Sequence, residues 1–300
     1  MNSMSSCLSL SLSFLCTLSS ILINLGPCLA TAISKPTFVD IYCTARRLSY
    51  PNATNIPVGA NVNLLLSYLS SNASLSTNNG FYDVTVGQNR DKVYGLFLCR
   101  GDVEHNICQN CVETAVGEIK QLCAINQQAF IWYEECMLKY MYYQYHGYNW
   151  AFPRAFEWER RYVFNLNSNG FLQTLSNLMD SLVTLATNSA SSSRIKYFAT
   201  GEANFTRIHK IYGLLQCTRD ITPSDCYTCL RNAIYQMPIV FNGSSGLGVY
   251  ISNCFARYSD HPFYKLNSAA SAPPSISEYC NLTTTFLLQC CNNFIARLKN

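Results

Sequence analysis

Apolar positions recur at helical spacing in four stretches and fall in short dense blocks between them. Val62, Leu65, Leu66 and Leu69 are three or four residues apart, which puts them on one face of a helix. The same spacing predicts a helix over 108–123, with Cys108, Cys111, Ala115, Ile119 and Leu122 on its buried face. A third helix is expected over 170–186, striped by Leu172, Leu175, Met179, Leu182 and Leu185. A fourth opens at Thr222-Pro223-Ser224-Asp225, where a Thr cap, a first-turn Pro and an acid three residues on form a start signal. It carries Cys226, Cys229, Ala233 and Ile234 and is expected to stop before Pro238. Blocks rich in aromatic and β-branched residues predict strands at Tyr42-Cys43, 81–86, 92–98, 195–200 and 210–215, with a turn at Asn78-Asn79-Gly80. One or two strands are expected around Cys136 over 129–143, and one over 247–258.

These elements come in two matching sets. Residues 93–111 read VYGLFLCRGDVEHNICQNC and residues 211–229 read IYGLLQCTRDITPSDCYTC. Both contain Tyr-Gly-Leu, then Cys-x8-Cys-x2-Cys with an Asp three residues after the first Cys. Cys99, Cys108, Cys111 and Cys136 return at a constant offset of 118 as Cys217, Cys226, Cys229 and Cys254. Such self-similarity marks a tandem repeat of one small domain. The divisions expected are a leader over 1–32, a first domain over 33–148, an aromatic-rich linker over 149–164, a second domain over 165–266 and a tail over 267–300.

Composition narrows the setting. The 300 residues carry a net charge of +4 with no basic run, which argues against nucleic acid as a partner. Residues 1–32 lack Asp, Glu, Lys and Arg, hold an apolar core and end in Ala30-Thr31-Ala32, the pattern of a cleaved secretory signal. No later run reaches the length of a membrane span. Asn-x-Ser/Thr sequons at Asn52, Asn72, Asn204, Asn242 and Asn281 are glycosylation candidates on that route. The expected location is therefore extracellular.

Sixteen cysteines then read as a disulfide framework. The Cys-x2-Cys pairs suit zinc by spacing alone, but each has a third Cys nine residues earlier, and His105, His146, His209 and His261 lie far apart. No metal or cofactor is expected. The second repeat lacks counterparts of Cys43 and Cys123, with Phe241 standing where Cys123 would. Joint loss suggests that these two are bonded to each other. Spacing leaves the pairing of the other four in each repeat open. Cys280, Cys290 and Cys291 have no repeat counterparts, and an odd thiol among them could link two chains.

Catalytic signatures are weak. No Gly-x-Ser-x-Gly motif is present, and Glu134 and Glu135, read as neighbours on a strand, would point to opposite faces. The Tyr-, Trp-, Phe- and Arg-rich run over 142–164 fits either a stacking platform for ligands or an inter-domain seam, and the seam is favoured.

The Cys-x8-Cys-x2-Cys motifs, AFIWYEECMLKY at 129–140 and CFARYSDHPFY at 254–264 resemble the salt-stress/antifungal, or ginkbilobin-homologous, domain of plant cysteine-rich repeat secretory proteins and receptor-like kinase ectodomains. The resemblance spans roughly 42–265. It implies an α+β fold in which each domain packs two helices on a five-stranded antiparallel sheet. It also implies the bonds Cys43–Cys123, Cys99–Cys108, Cys111–Cys136, Cys217–Cys226 and Cys229–Cys254. Mannose binding in the family uses an Asn, an Arg and a Glu at places held here by Thr44, Phe130 and Met141. In the second repeat the Arg and Glu places hold Gly248 and Ser259, so neither copy keeps the polar set. The function implied is a non-catalytic extracellular recognition module, binding a cell-wall glycan or a protein partner in stress or defence. Direct antimicrobial action is the alternative, and catalysis is the least supported. With one bond fewer, the second domain is expected to be the less stable.

Overall fold

The computed structural model describes residues 34–44, 57–123, 126–142, 153–162, 169–188, 196–240 and 244–265. The first repeat runs β1 (Phe38–Cys43), α1 (Pro57–Ala73), β2 (Phe81–Val86), β3 (Val93–Cys99), α2 (His105–Leu122), β4 (Gln128–Tyr133) and β5 (Cys136–Tyr142). The second runs β6 (Arg154–Tyr162), α3 (Asn169–Thr187), β7 (Phe198–Asn204), β8 (Lys210–Cys217), α4 (Pro223–Val240), β9 (Ser244–Ile251) and β10 (Cys254–Ser259). Each repeat forms a five-stranded antiparallel sheet, ordered β1-β4-β5-β3-β2 in one and β6-β9-β10-β8-β7 in the other. The two orders are the same topology shifted by five strands.

Strand alternation gives every sheet two faces. On one face of the first sheet, Val93, Phe97, Ile131, Leu138 and Tyr140 pack against Val62, Leu65, Leu66 and Leu69 of α1 and Val112, Ala115 and Ile119 of α2. The second sheet repeats this with α3 and α4. The Tyr-Gly-Leu motif has its reason here. A Cβ on Gly95 would sit 2.4 Å from Leu65 Cδ2, and one on Gly213 would sit 2.8 Å from Leu182 Cδ1. Each glycine is the place where a helix rests directly on strand backbone. Gly95→Ala is therefore expected to cost about 1–3 kcal/mol through overpacking, measured as a lower urea midpoint with unchanged slope.

Among the described residues, five disulfides join Cys43 to Cys123, Cys99 to Cys108, Cys111 to Cys136, Cys217 to Cys226 and Cys229 to Cys254. The two cysteines without counterparts in the second repeat are thus partners, closing the rim between β1 and the end of α2. The sulfurs of both Cys-x2-Cys pairs are consumed, so none of them is a zinc ligand.

Several elements differ from the sequence expectations. Helix α4 continues through Pro238 to Val240. Proline lacks one N–H, and within two residues of a helix end that loss removes a single bond of the last turn. The expected strand over 247–258 is a hairpin, β9 and β10, broken at Ser252-Asn253, where Asn253 Nδ2 donates to Thr218 Oγ1 at 3.2 Å. Glu134 and Glu135 occupy the matching hairpin turn of the first repeat rather than a strand. Leu122, Leu172 and Leu185 are exposed. The buried stripe of α3 is instead Phe171, Leu175, Leu178, Met179, Leu182, Val183 and Ala186. Residues 154–162, read as linker, are the edge strand of the second sheet, paired along β9.

Candidate functional site

The second face of each sheet is also apolar. Leu98, Phe130, Trp132 and Met137 from the first sheet share one buried cluster with Ala155, Leu214, Tyr250 and Phe255 from the second. Phe130 stacks on Trp132 with centroids 5.9 Å apart, and Tyr250 stacks on Phe255 at 5.4 Å. Trp132 and Tyr250 occupy one position 118 residues apart, as do Met137 and Phe255. The two sheets therefore face each other with their helices outward.

Charged groups cross this seam in a reciprocal way. Lys139, only 3% exposed, donates through Nζ to the Ser252 carbonyl in the second repeat at 3.0 Å. Its repeat counterpart, Arg257, places Nη1 2.6 Å from Glu134 Oε2 in the first repeat, and Glu134 is the counterpart of Ser252. Each mid-strand cation thus reaches the β-hairpin turn of the other copy. Gln216 adds two bonds, donating to the Cys99 carbonyl and accepting from the Gly101 N–H, both at 3.0 Å. Burial lowers the Lys139 pKa, with Asp220 opposing.

Arg257 Nη2 also approaches Glu157 Oε1 at 3.3 Å and Glu159 Oε1 at 3.2 Å, and its guanidinium lies 4.5 Å from the Phe263 ring centroid. Burial opposes the charge of Arg257, but Tyr250, Glu157 and Glu134 raise its pKa above the ordinary arginine value. Burial, opposed by Arg257 and aided by Glu134, pushes Glu157 up to about 7. Burial would raise Glu134 too, but Arg257 and a hydrogen bond with Glu157 carry it below the usual glutamate value. The two carboxyls divide the work: Glu157 holds a proton more readily, and Glu134 holds the charge that faces Arg257.

The positions matched to the family's mannose residues lie in this seam or at its rim. Phe130 is 2% exposed within the shared cluster, and Met141 packs against it. Thr44 Oγ1 accepts from the Gln128 N–H at 3.2 Å. A Cβ on Gly248 would meet the Tyr250 ring at 2.7 Å and Glu157 Oε2 at 3.2 Å, and Ser259 Oγ, fully buried, donates to Glu159 Oε2 at 2.9 Å. At Phe130 and Met141 the other repeat occupies the surface that a sugar would need, and at Gly248 and Ser259 the same repeat's Tyr250, Glu157 and Glu159 do.

An open cleft of about 510 Å³ lies elsewhere on the first repeat, lined by Ser76, Asn79, Gly80, Arg100, Gly101 and His105 and floored by the Cys99–Cys108 disulfide. The second repeat explains its shape. The Cys99 N–H bonds the Gly80 carbonyl at 2.7 Å, and the Cys217 N–H bonds the Tyr197 carbonyl at 3.0 Å, so Gly80 and Tyr197 are structural equivalents. Both adopt positive φ, +74° and +59°. The Tyr197 ring is buried and its hydroxyl donates to the Ile221 carbonyl, which fills in the second repeat the space that Gly80 leaves free in the first.

Of the sequons, Asn204 is exposed at the end of β7, while Asn72 is half-buried with Nδ2 donating to the Tyr68 carbonyl at 2.9 Å. Asn52, Asn242, Asn281, His146, Phe241, the 1–32 leader and Cys280, Cys290 and Cys291 lie outside the described residues, as does much of the 142–164 aromatic run. Within that run Ala155 enters the seam, whereas Trp158 stays half-exposed, its indole N–H donating to the Val240 carbonyl. Sequence reasoning passed over Lys139, Arg257, Gln216, Glu157 and Glu159. The signal was present for two of them: a cation at the same mid-strand place in both repeats, inside apolar blocks.

The salt stress response/antifungal family model matches residues 42–143 and again 160–261. Cysteine-rich repeat secretory protein 38 of Arabidopsis thaliana is 34% identical over 208 residues, covering 69% of this chain and 78% of that protein. Cysteine-rich receptor-like protein kinase 25 of the same plant is 37% identical over 258 residues, covering 83% of this chain and 36% of the kinase. The chain thus spans about a third of the length of cysteine-rich receptor-like protein kinases 25 and 6. Among solved structures, the tandem DUF26 ectodomain of the Arabidopsis thaliana cysteine-rich receptor-like protein PDLP8 superposes with a TM-score of 0.59 at 22% identity, covering 76% of this chain and all of that one. No described helix is long and apolar enough to cross a membrane.

Proposed function

The chain belongs to the salt stress response/antifungal family, with the domain present twice in tandem, and from that premise we propose that it is a secreted, non-catalytic recognition module of the cell exterior, binding a wall glycan or an extracellular protein. The observation that carries this reading is the cleft of the first repeat. Its size falls in the range of small-ligand sites, and it offers hydroxyl, amide, imidazole and backbone groups on a rigid, disulfide-floored wall. The mannose-equivalent positions support the choice by exclusion, since Phe130 is buried between the repeats and Ser259 is buried against Glu159 of its own repeat. A ligand of this protein is therefore expected at the cleft and not at the family's sugar position. The secretory names of relatives and the exposed sequon at Asn204 favour the extracellular setting.

The test is a screen of the glycosylated protein against plant and fungal wall glycans, mannan included, and against extracellular ectodomains. Gly80→Tyr is the decisive variant, because Tyr197 already occupies the equivalent place with left-handed backbone. The variant is expected to keep the circular dichroism of the parent and to lose at least about tenfold in affinity for whichever ligand the screen finds. Undiminished binding by Gly80→Tyr would remove the cleft from the reading. A parent protein that binds no glycan and no ectodomain would remove the reading itself.

A further inference from the structure

Beyond recognition, the rim of the seam holds a donor set suited to a metal. Glu159 on β6 and Asp260 and His261 just after β10 bring one ligand atom each to within 4.8 Å of the others. His261 Nδ1 is 2.9 Å from Asp260 Oδ1 and 3.5 Å from Glu159 Oε2. Ser259 Oγ stands 2.9 Å from both His261 Nδ1 and Glu159 Oε2. Metal–ligand bonds of about 2.0–2.1 Å in a tetrahedral site put neighbouring ligands about 3.3 Å apart. The two separations from His261 bracket that edge, and Asp260 and Glu159 lie within 4.8 Å of each other, so closing on an ion requires the two carboxylates to draw together. The set is one imidazole and two carboxylates, from one residue on β6 and two just after β10, and zinc accepts both donor types.

Two further features point the same way. Glu159 Oε1 is held by Arg257 at 3.2 Å, which fixes the carboxylate and leaves Oε2 turned toward His261. Such outer support is what orients ligands in metal sites. Charge is also out of balance. One guanidinium, Arg257, serves Glu134, Glu157 and Glu159, whose side chains are 23%, 19% and 16% exposed, and Asp260 stands beside them. Four carboxylates around one guanidinium leave an excess of negative charge at this rim, where the Asp260 and His261 side chains are 30% and 43% exposed. A divalent cation at Glu159, Asp260 and His261 offsets it. We propose that Glu159, Asp260 and His261 form a zinc site with one position open to water on the 43%-exposed imidazole side. The site is a property of the second repeat alone, because the places of Ser259, Asp260 and His261 in the first hold Met141, Tyr142 and Tyr143. By tying β6 to the end of β10, the ion would brace the strand that also carries the Arg257 partners.

Titration calorimetry of the tag-free, chelator-treated chain with zinc chloride tests this, with calcium chloride as the comparison. One zinc per chain is expected, undisturbed by excess calcium. His261→Ala and Asp260→Asn should each weaken binding by about tenfold or more, and His209→Ala, an exposed histidine bonded to Thr206 Oγ1, should leave it unchanged. A thermal melt should rise with zinc for the parent and not for His261→Ala. Absence of saturable zinc binding, or equal affinity in parent and His261→Ala, overturns the assignment.

Discussion

Arg257→Ala is expected to lower the unfolding free energy by about 3–5 kcal/mol, because it leaves Glu134, Glu157 and Glu159 without their shared cation. The guanidinium side chain is 6% exposed, so water cannot take over its role. The loss also cuts a cross-repeat link, since Glu134 belongs to the first repeat and the other two carboxylates to the second. Urea denaturation followed by tryptophan fluorescence should show both the lower midpoint and a broader transition, as the repeats cease to unfold together. The double variant Arg257→Met/Glu134→Gln separates the terms. Removing Glu134 as well spares one of the three uncompensated carboxylates, so its cost should be smaller than the sum of Arg257→Met and Glu134→Gln measured singly. A cost of Arg257→Ala below about 1 kcal/mol would mean that the cluster is effectively solvated and the seam depends on its aromatic stacks alone.

The second large effect concerns the Cys43–Cys123 bond. It joins residues 80 apart, against 9 and 25 for the other pairs. In the chain-entropy account, closing 80 residues is worth about 4–5 kcal/mol and closing 9 is worth about 2.5–3 kcal/mol. Cys43→Ala/Cys123→Ala should therefore destabilise the first repeat more than Cys217→Ala/Cys226→Ala destabilises the second. Cys43 is also only half-buried, while the sulfurs of the other four bonds are all buried, so mild reductant should open this bond first. Alkylation with mass analysis at increasing reductant reads that order directly. Once it is open, the two repeats carry equivalent bonds and their resistance to protease should converge. If Cys99 or Cys229 is alkylated before Cys43, burial does not control access in this protein.

Much of the local architecture was legible before any coordinates. The stripe Val62, Leu65, Leu66 and Leu69 lies on the core face of α1, and Thr222 Oγ1 caps α4 by accepting from the Asp225 N–H. Those signals are local: helix spacing and capping depend on residues three or four apart. Errors arose where a local cue competed with a distant contact. Pro238 ends a helix in isolation, yet α4 runs two residues past it. Leu185 fits the periodic stripe, but the sheet lies toward Val183 and Ala186. Residues 154–162 look like a linker because nothing near them in sequence reveals that β9 is their partner. The Ser252-Asn253 turn and its repeat counterpart Glu134-Glu135 both read as strand in the sequence, because neither carries the Gly or Pro that marks a tight turn.

The amino-acid sequence by itself determined that this chain is one small disulfide-stapled domain used twice, because cysteine spacing and hydrophobic periodicity are properties of the chain and survive without coordinates. Only the tertiary structure decided what each sheet's second face meets. Phe130, Trp132, Tyr250 and Phe255 read as apolar alternate residues, and such residues suit a ligand, a partner or another sheet equally. The choice came from the pseudo-symmetric meeting of two copies, with Lys139 and Arg257 each reaching across to the other's turn. That meeting buries Phe130, one of the positions matched to the family's mannose residues, whereas the second sheet by itself gathers Glu159, Asp260 and His261 at one rim. Neither cross-repeat contact follows from spacing, since Lys139 and Ser252 lie 113 residues apart along the chain and Arg257 and Glu134 lie 123 apart.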